Sequence, residues 1–309
     1  MRNSIAKKLV KLAKHDEKLI LLAGDIGFRI FDEFIKNFPN RFYNCGIAEQ
    51  NMISVAAGLA SEGLKPVVYT IIPFLIMRAY EQIRVDVGIN NQSLILIGVG
   101  GGLAYDKLGS THHSYEDIAL MRCIPNMNIY SPISPLNADY CLEKSFQRLS
   151  ANSKGPSYIR LCKGGEPEIN NLNEISSNIF ITKKITSSKT IISTGAISAT
   201  IENYLSINKK EFIVNHIMIS EISNNLLEQL FLILKQNSIQ DILLIEEHFE
   251  AGGLFEALSS IFIKNKFFIN IRNMCLEKRY IFDIFDRENL LEKNGLSHLK
   301  IDSWLNEKI

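Results

Sequence analysis

The feature that most constrains this chain is an alternation. Short apolar runs give way to amphipathic segments almost from end to end: "KLILLAG" precedes a helical stretch, "PVVYTII" precedes "FLIMRAYEQIRVDVG", "SLILIGVG" precedes "SYEDIALMRCI", and "MNIYSP" precedes "SPLNADYCLEKSFQRL". Apolar strands of about five residues separated by helices are the signature of a parallel sheet covered on both faces. Residues 1–165 are therefore expected to form one α/β domain. A polar stretch from Lys163 to Asn178, "KGGEPEINNLNEISSN", has neither helical nor strand periodicity and places a linker at residues 166–185. The alternation resumes with "KTIISTGAISATIENYL", "FIVNHIMIS", "NNLLEQLFLIL" and "DILLIEEHFEAGGLFEALSSIF", so residues 186–309 are expected to form a second, smaller domain. The fold class is α/β, with two mainly parallel sheets flanked by helices.

A chain of 309 residues, 46% hydrophobic and 22% charged, is long enough to bury two separate cores. Its formal charge of +1, with Lys and Arg scattered among acids, offers no basic field for nucleic acid. The start, "MRNSIAKKLVKLAKHDEKLI", carries Ile5, Leu9 and Leu12 at helical spacing instead of a signal-peptide core, and reads as a first helix. No run of about 18 apolar residues occurs, so no membrane span is expected. The five cysteines (Cys45, Cys123, Cys141, Cys162, Cys275) are odd in number and lack a CxxC pair. They argue against a disulfide scaffold or a structural zinc site, and make the cytoplasm the default location.

Five stretches hold residues suited to chemistry. In "LLAGDIGF", Gly24, Asp25 and Gly27 follow the first strand, where loops at the carboxyl ends of parallel strands gather ligands; a turn whose Asp caps the next helix is the plainer reading. In "NCGIAEQNMISVAAGLASEG", Glu49 heads a helix of small and apolar residues. It is either a first-turn acid favouring the helix dipole or a buried carboxyl, held protonated by its apolar setting, that relays a proton. In "GVGGGLAYDKLGSTHHSYEDIALMR", His112 and His113 precede a Ser114/Asp117 pair resembling a capping box, which would hold a histidine neutral at a helix amino end. Metal binding there is the weaker option, because adjacent histidines point apart and no nearby acid or thiol completes a ligand set. Arg160, in "GPSYIRLCKGG", has the fork suited to a carboxylate or phosphate, although a structural ion pair is the commoner use of a lone arginine. "IEEHFEAGG", Glu246 to Gly253, reads as strand-end capping and interdomain contact.

Together, "GDIG", "FPNRFYNCGIAEQNMISVAAGLASEG", "PFLIMRAYEQIRVDV", "GSTHHSYEDIALMRCIPNMNIYSP", "GPSYIR" and "LLIEEHFEAGG" resemble, in order and spacing, the C-terminal half of the transketolase family. That half is a pyrimidine-binding domain followed by the transketolase C-terminal domain. The resemblance implies that Glu49 hydrogen-bonds the N1' atom of the aminopyrimidine of thiamine diphosphate, promoting the imino tautomer that deprotonates the thiazolium carbon. It implies that Phe74 stacks on the pyrimidine, with Ile71 and Met77 at the flanking positions, and that Asp25 faces the cofactor. His112 matches the histidine that assists at the substrate hydroxyl and carbonyl, with His113 beside it. Arg160 matches a phosphate-binding arginine, and Arg29 lies near a lost phosphate-holding serine.

The chain also departs from that pattern. "GGGLAYDKLGS" lacks a family histidine, at or near Gly100, and an acid that is missing or shifted to Asp106, which implies a roomier site. No G-D-G motif followed after about two dozen residues by Asn is present, so the diphosphate and Mg²⁺ would need another chain. The resemblance thus implies one subunit of a split enzyme, with no metal ligands of its own. Its partner would be an N-terminal subunit carrying the diphosphate domain, within an α2β2 heterotetramer that includes a dimer of this chain. The expected reaction moves a two-carbon ketol unit from a ketose to an aldehyde, with sugars or sugar phosphates as substrates. Alternatives are the β subunit of a thiamine-dependent 2-oxo acid dehydrogenase, a deoxyxylulose-phosphate-synthase-like enzyme, or a non-catalytic assembly subunit.

Overall fold

The computed structural model describes residues 1–150 and 155–307. Residues 151–154, inside the expected first domain, and 308–309, at the end of the second, lie outside the described residues. The leading helix, α1 (Arg2–His15), buries Ile5, Leu9 and Val10. A six-stranded parallel sheet follows, built from β1 (Leu19–Ala23), β2 (Phe42–Asn44), β3 (Lys65–Ile71), β4 (Ile95–Val99), β5 (Asn128–Tyr130) and β6 (Ser157–Leu161) in the order β2-β1-β3-β4-β6-β5. Its helices are α2 (Asp32–Asn37), α3 (Glu49–Ser61), the single turn α4 (Tyr80–Gln82), α5 (Asp117–Arg122) and α6 (Pro135–Ser150).

The sheet is covered on both faces, which is why its strands read as continuous apolar runs. Along β1, Leu19 and Leu21 enter one core while Ile20 and Leu22 enter the other. This is the two-residue side-chain period of a strand. Between β3 and β4 the helical segment is irregular: Pro73–Met77 and Ile83–Ile89 are π-helical, on either side of α4. Single π turns of this kind recur at functional sites.

The second sheet has the order β12-β11-β9-β10-β8-β7. Its strands β9 (Lys189–Thr194), β10 (Asn215–Ile219), β11 (Asp241–Phe249) and β12 (Asn270–Leu276) are parallel. They pack against α7 (Ile197–Ile207), α8 (Asn224–Gln236), α9 (Leu254–Lys264), α10 (Arg287–Lys293) and α11 (His298–Asn306). The stretch expected to lack regular structure contributes two antiparallel strands, β7 (Asn173–Ser176) and β8 (Ile179–Ile181), to one edge of this sheet.

Backbone bonds stitch the two sheets together. Ser131 N–H donates to Ser220 O at 2.9 Å, Ile222 N–H to Ile129 O at 2.9 Å, and Phe249 N–H to Tyr115 O at 2.8 Å. The loop after β4 is thereby held between the first sheet and β11.

Candidate functional site

Glu49 is the first residue of α3 and is 2% exposed. Its Oε2 accepts a hydrogen bond from Arg78 Nη1 at 2.8 Å. The Arg78 guanidinium also lies 4.4 Å above the centroid of the Phe74 ring. The edge of that ring meets His112, with centroids 5.2 Å apart, and His112 in turn meets Tyr105 at 5.9 Å. Three expected residues, Glu49, Phe74 and His112, are thus joined by a fourth, Arg78, which sequence reasoning passed over. Arg78 also corrects one expectation: the Glu49 carboxylate is not in a wholly apolar setting, because the next helical segment brings it a cation. The only sequence signal for that was an arginine four residues, one helical turn, beyond Phe74.

His112 and His113 lie in a turn, their amides bonding to Gly109 O at 2.9 and 3.2 Å. The expected capping box does not form. Ser114 pairs with Gly102 as an isolated bridge, and α5 begins only at Asp117 with no side-chain cap. Both histidines are nevertheless biased toward the neutral form, because burial lowers their pKa. For His113, adjacent His112 acts in the same sense, while the Tyr105 carbonyl and Asp106 oppose it. Neither ring nitrogen of His113 closes a hydrogen bond, although the residue is buried. Thr111 Oγ1 lies 2.9 Å from His112 Nδ1 and orients that ring.

The glycine run after β4 is not open space. A Cβ at Gly100 would collide with Tyr105, one at Gly102 with the Glu247 carboxylate, and one at Gly101 would stand 2.8 Å from the Arg160 guanidinium. The roomier loop expected from the glycines is instead filled by these side chains.

Arg160, expected at a substrate phosphate, is 7% exposed, and two of its nitrogens are engaged within the fold: Nε bonds Asp117 Oδ2 at 2.8 Å, and Nη2 bonds the Ser114 and Glu247 carbonyls at 2.9 Å each. Asp117 also accepts from the Tyr158 hydroxyl at 2.6 Å, and despite its burial this company holds its pKa low. Glu247 accepts from Leu103 N–H at 3.1 Å and pairs with Arg287. Glu246 caps α9, its two oxygens accepting the Leu254 and Phe255 amides at 2.8 and 2.9 Å. Burial still pushes its pKa up to about 7. His248 donates from Nδ1 to Phe249 O at 2.7 Å, leaving Nε2 to accept the Ala119 amide at 3.4 Å across the seam, and burial pulls its pKa down to about 4. The "IEEHFEAGG" stretch therefore caps a helix and locks the domains together.

The remaining expected residues are more dispersed. Asp25 is exposed in a left-handed conformation and accepts from Asn44 Nδ2 at 3.1 Å, while Asn44 Oδ1 accepts the Gly46 amide at 2.9 Å. Asn44, unremarked in the sequence, thereby ties the Asp25 loop to the loop that delivers Glu49. Arg29 is exposed on the same first loop, and no hydrogen bond or ion pair joins it to Glu49 or His112 among the described residues. Ile71 ends β3 in the core against which Phe74 packs, whereas Met77 packs against the core on the other face of the sheet. In the second domain, Ser193 Oγ, His216 and Glu202 line up at 2.7 Å each, in the order of a nucleophile, base and acid. Ser193 has no exposure and bonds Ser198, so this chain of contacts pins α7 to β9 and β10.

A buried carboxylate beside an aromatic face is the donor set that fits an aminopyrimidine, which offers a ring nitrogen at its edge and a flat face for stacking. Among the described residues, no three His, Cys, Asp or Glu side chains gather as ligands for a metal ion.

Residues 1–166 match the family described as transketolase, pyrimidine binding domain. The chain is 38% identical over 172 residues to one subunit of the apulose-4-phosphate transketolase of Actinobacillus succinogenes, a match covering 55% of this chain and 54% of that one. It is 42% identical over 128 residues to the 1-deoxy-D-xylulose-5-phosphate synthase of Aquifex aeolicus, covering 41% of this chain and 20% of that one. The chain thus spans about half the length, or less, of these curated relatives. A solved structure described as a split gene transketolase, inactive beta4 tetramer, superposes with a TM-score of 0.79 at 27% identity, covering 98% of this chain and 96% of that one.

Proposed function

The chain belongs to the transketolase pyrimidine-binding-domain family, and on that premise we propose that it is the C-terminal subunit of a split transketolase, moving a two-carbon ketol unit from a ketose to an aldehyde acceptor. Its two sheets have the fold of the pyrimidine-binding and C-terminal domains of transketolases. In this reading residues 1–165 are the pyrimidine-binding domain and 186–309 the C-terminal domain, and the connecting stretch 166–185 lends β7 and β8 to the edge of the second sheet. The observation that carries it is the Glu49 carboxylate, buried at a helix start and joined through Arg78 to the Phe74 ring, with His112 at the ring's edge.

Thiamine diphosphate, when bound, supplies the carbon nucleophile that takes up the two-carbon unit. Glu49 shares a proton with the pyrimidine ring nitrogen, and burial keeps water from competing for it. Phe74 offers the face on which the pyrimidine lies, backed by the core that contains Ile71. His112, biased neutral by burial, moves a proton at the substrate hydroxyl or carbonyl. Asp25, Arg29 and His113 belong to the reading as further contacts to cofactor or substrate; Met77 and Arg160 act only through packing and the seam.

The diphosphate and Mg²⁺ belong, in this proposal, to an N-terminal partner subunit within an α2β2 heterotetramer. The chain's whole-length likeness to a split-gene transketolase chain supports that division. A role in carbohydrate metabolism on sugars or sugar phosphates, and a cytoplasmic location in keeping with five free cysteines, complete it. Among the described residues, no helix is long and apolar enough to cross a membrane. The second reading, a deoxyxylulose-phosphate-synthase-like reaction, draws on the 42% identity over 128 residues. Co-purification with a partner carrying the G-D-G motif, followed by assays of ketol transfer and of pyruvate decarboxylation with thiamine diphosphate and Mg²⁺, separates the two. Absence of ketol transfer from the assembled pair sinks the first.

A further inference from the structure

Arg78 stands in conflict with the site it completes. Its guanidinium is planar and cationic, and it donates to Glu49 Oε2 at 2.8 Å while lying 4.4 Å above the Phe74 ring. One group therefore occupies both contacts that a pyrimidine would use, the acid at its edge and the aromatic face beneath it. A pyrimidine stacked on that face of Phe74 and bonded to Glu49 Oε2 would have to displace it.

We propose that Arg78 closes the pyrimidine site of the free subunit, and that pyrimidine binding requires the guanidinium to swing off Glu49 and Phe74. The inference rests on the reading of Glu49 and Phe74 as the pyrimidine site. Three observations carry it beyond that reading. The Glu49 side chain is 2% exposed and that of Arg78 43%, so the guanidinium is the outer member of the pair and has a path to solvent. Arg78 ends the π turn Pro73–Met77, its amide reaching back five residues to Pro73 O at 3.2 Å, so its side chain leaves from an irregular stretch rather than from the middle of a rigid helix. Within the free subunit Arg78 is the cation that Glu49 finds, and a carboxylate buried without one is strongly destabilising. The closed state thus protects the fold until a ligand replaces the guanidinium at the acid.

Binding of thiamine to the full-length chain tests this, measured by calorimetry and by side-chain NMR of the arginine Nε–H groups. Arg78→Ala, and Arg78→Gln as a variant that keeps the stem, should bind thiamine about tenfold more tightly than wild type, the gain expected when the open form is about one-tenth populated. In wild type the Arg78 Nε–H signal, identified by its loss in Arg78→Gln, should shift as thiamine is added. Glu49→Gln or Phe74→Ala, placed on Arg78→Ala, should weaken binding again. If those two changes weaken thiamine binding while both Arg78 variants bind no better than wild type, the closure is wrong and the reading of the site survives. If binding is indifferent to Glu49 and Phe74, the reading falls and the closure with it. If folded Arg78→Ala binds no thiamine at millimolar concentration, the closure is overturned, and the reading is judged separately by the response of the assembled enzyme to Glu49→Gln.

Discussion

Arg160 and Asp117 meet at 2.8 Å with both side chains withdrawn from solvent, and the same guanidinium reaches the Ser114 and Glu247 carbonyls, the latter across the domain seam. Its Nε and Nη2 are spent on structure. Breaking a buried pair by removing one partner leaves the other charge uncompensated, which typically costs about 3–5 kcal/mol. Asp117→Ala should lose stability of that size in chemical denaturation. Arg160→Met should be comparably destabilised, yet whatever complex still folds should keep its KM for a phosphorylated sugar. A raised KM at unchanged stability would return Arg160 to the substrate.

Glu49→Gln keeps the size of the side chain and one acceptor oxygen but removes the exchangeable carboxyl proton. In the complex assembled with its partner, ketol transfer should fall at least the roughly 100-fold typical of losing a catalytic proton-transfer group. Partner binding and the circular dichroism spectrum should stay close to wild type. Turnover within a few-fold of wild type would remove Glu49 from the chemistry.

Glu246 and His248 sit two residues apart on β11, both fully buried, and their titrations oppose each other. The Glu246 pKa is raised from 4.5 to about 7 in the fold, so the native state holds the extra proton in that window and stability falls as pH rises through it. The His248 pKa is lowered from 6.5 to about 4, so the unfolded state holds the extra proton and stability is lost as pH falls from 6.5 toward 4. Each effect is on the order of 3 kcal/mol, and where the windows overlap the two offset each other. The combined contribution of this pair to stability should therefore be nearly flat between about pH 4.5 and 6.5. Glu246→Gln should expose a stability that rises with pH, and His248→Gln one that falls. Parallel pH profiles for the two variants, measured by urea denaturation, would contradict this opposition.

The inner strands of both sheets were legible because they are buried on two faces, which leaves unbroken apolar runs such as "LILLA" and "ILIGV". The edge strand β7 was not. Asn173 and Glu174 are exposed, and an edge strand facing solvent carries no apolar alternation to find. Ser114 and Asp117 have the spacing of a capping box, but the Ser114 backbone is already committed to Gly102, a partner outside any local window. The Glu49–Arg78 and Asp117–Arg160 pairs span 29 and 43 residues. Sequence motifs could nominate Glu49, Phe74 and His112, whereas which cation each acid would meet depended on how the sheet ordered its loops.

Lys189 is the least conspicuous residue with a large expected effect. It opens β9, is 7% exposed, and its Nζ donates to the Trp304, Leu305 and Glu307 carbonyls at 2.8, 3.1 and 2.7 Å while lying 5.1 Å from the Trp304 ring centroid. The last carbonyls of a helix have no partner within it, and the negative end of the helix dipole gathers there. A single ammonium satisfies both demands at the end of α11. Lys189→Met keeps the apolar stem but removes the charge and all three donors, and hydrogen bonds from charged groups contribute about 1.5–3 kcal/mol. Amide exchange in α11 should therefore accelerate by roughly tenfold or more, at about 1.4 kcal/mol for each factor of ten. Exchange in β1 and β3 of the first sheet should not change, because Ile301 and Trp304 of α11 pack into the second domain's core. Unchanged protection in α11 would mean that packing of Ile301 and Trp304 alone holds the helix, and that the ammonium is merely accommodated there.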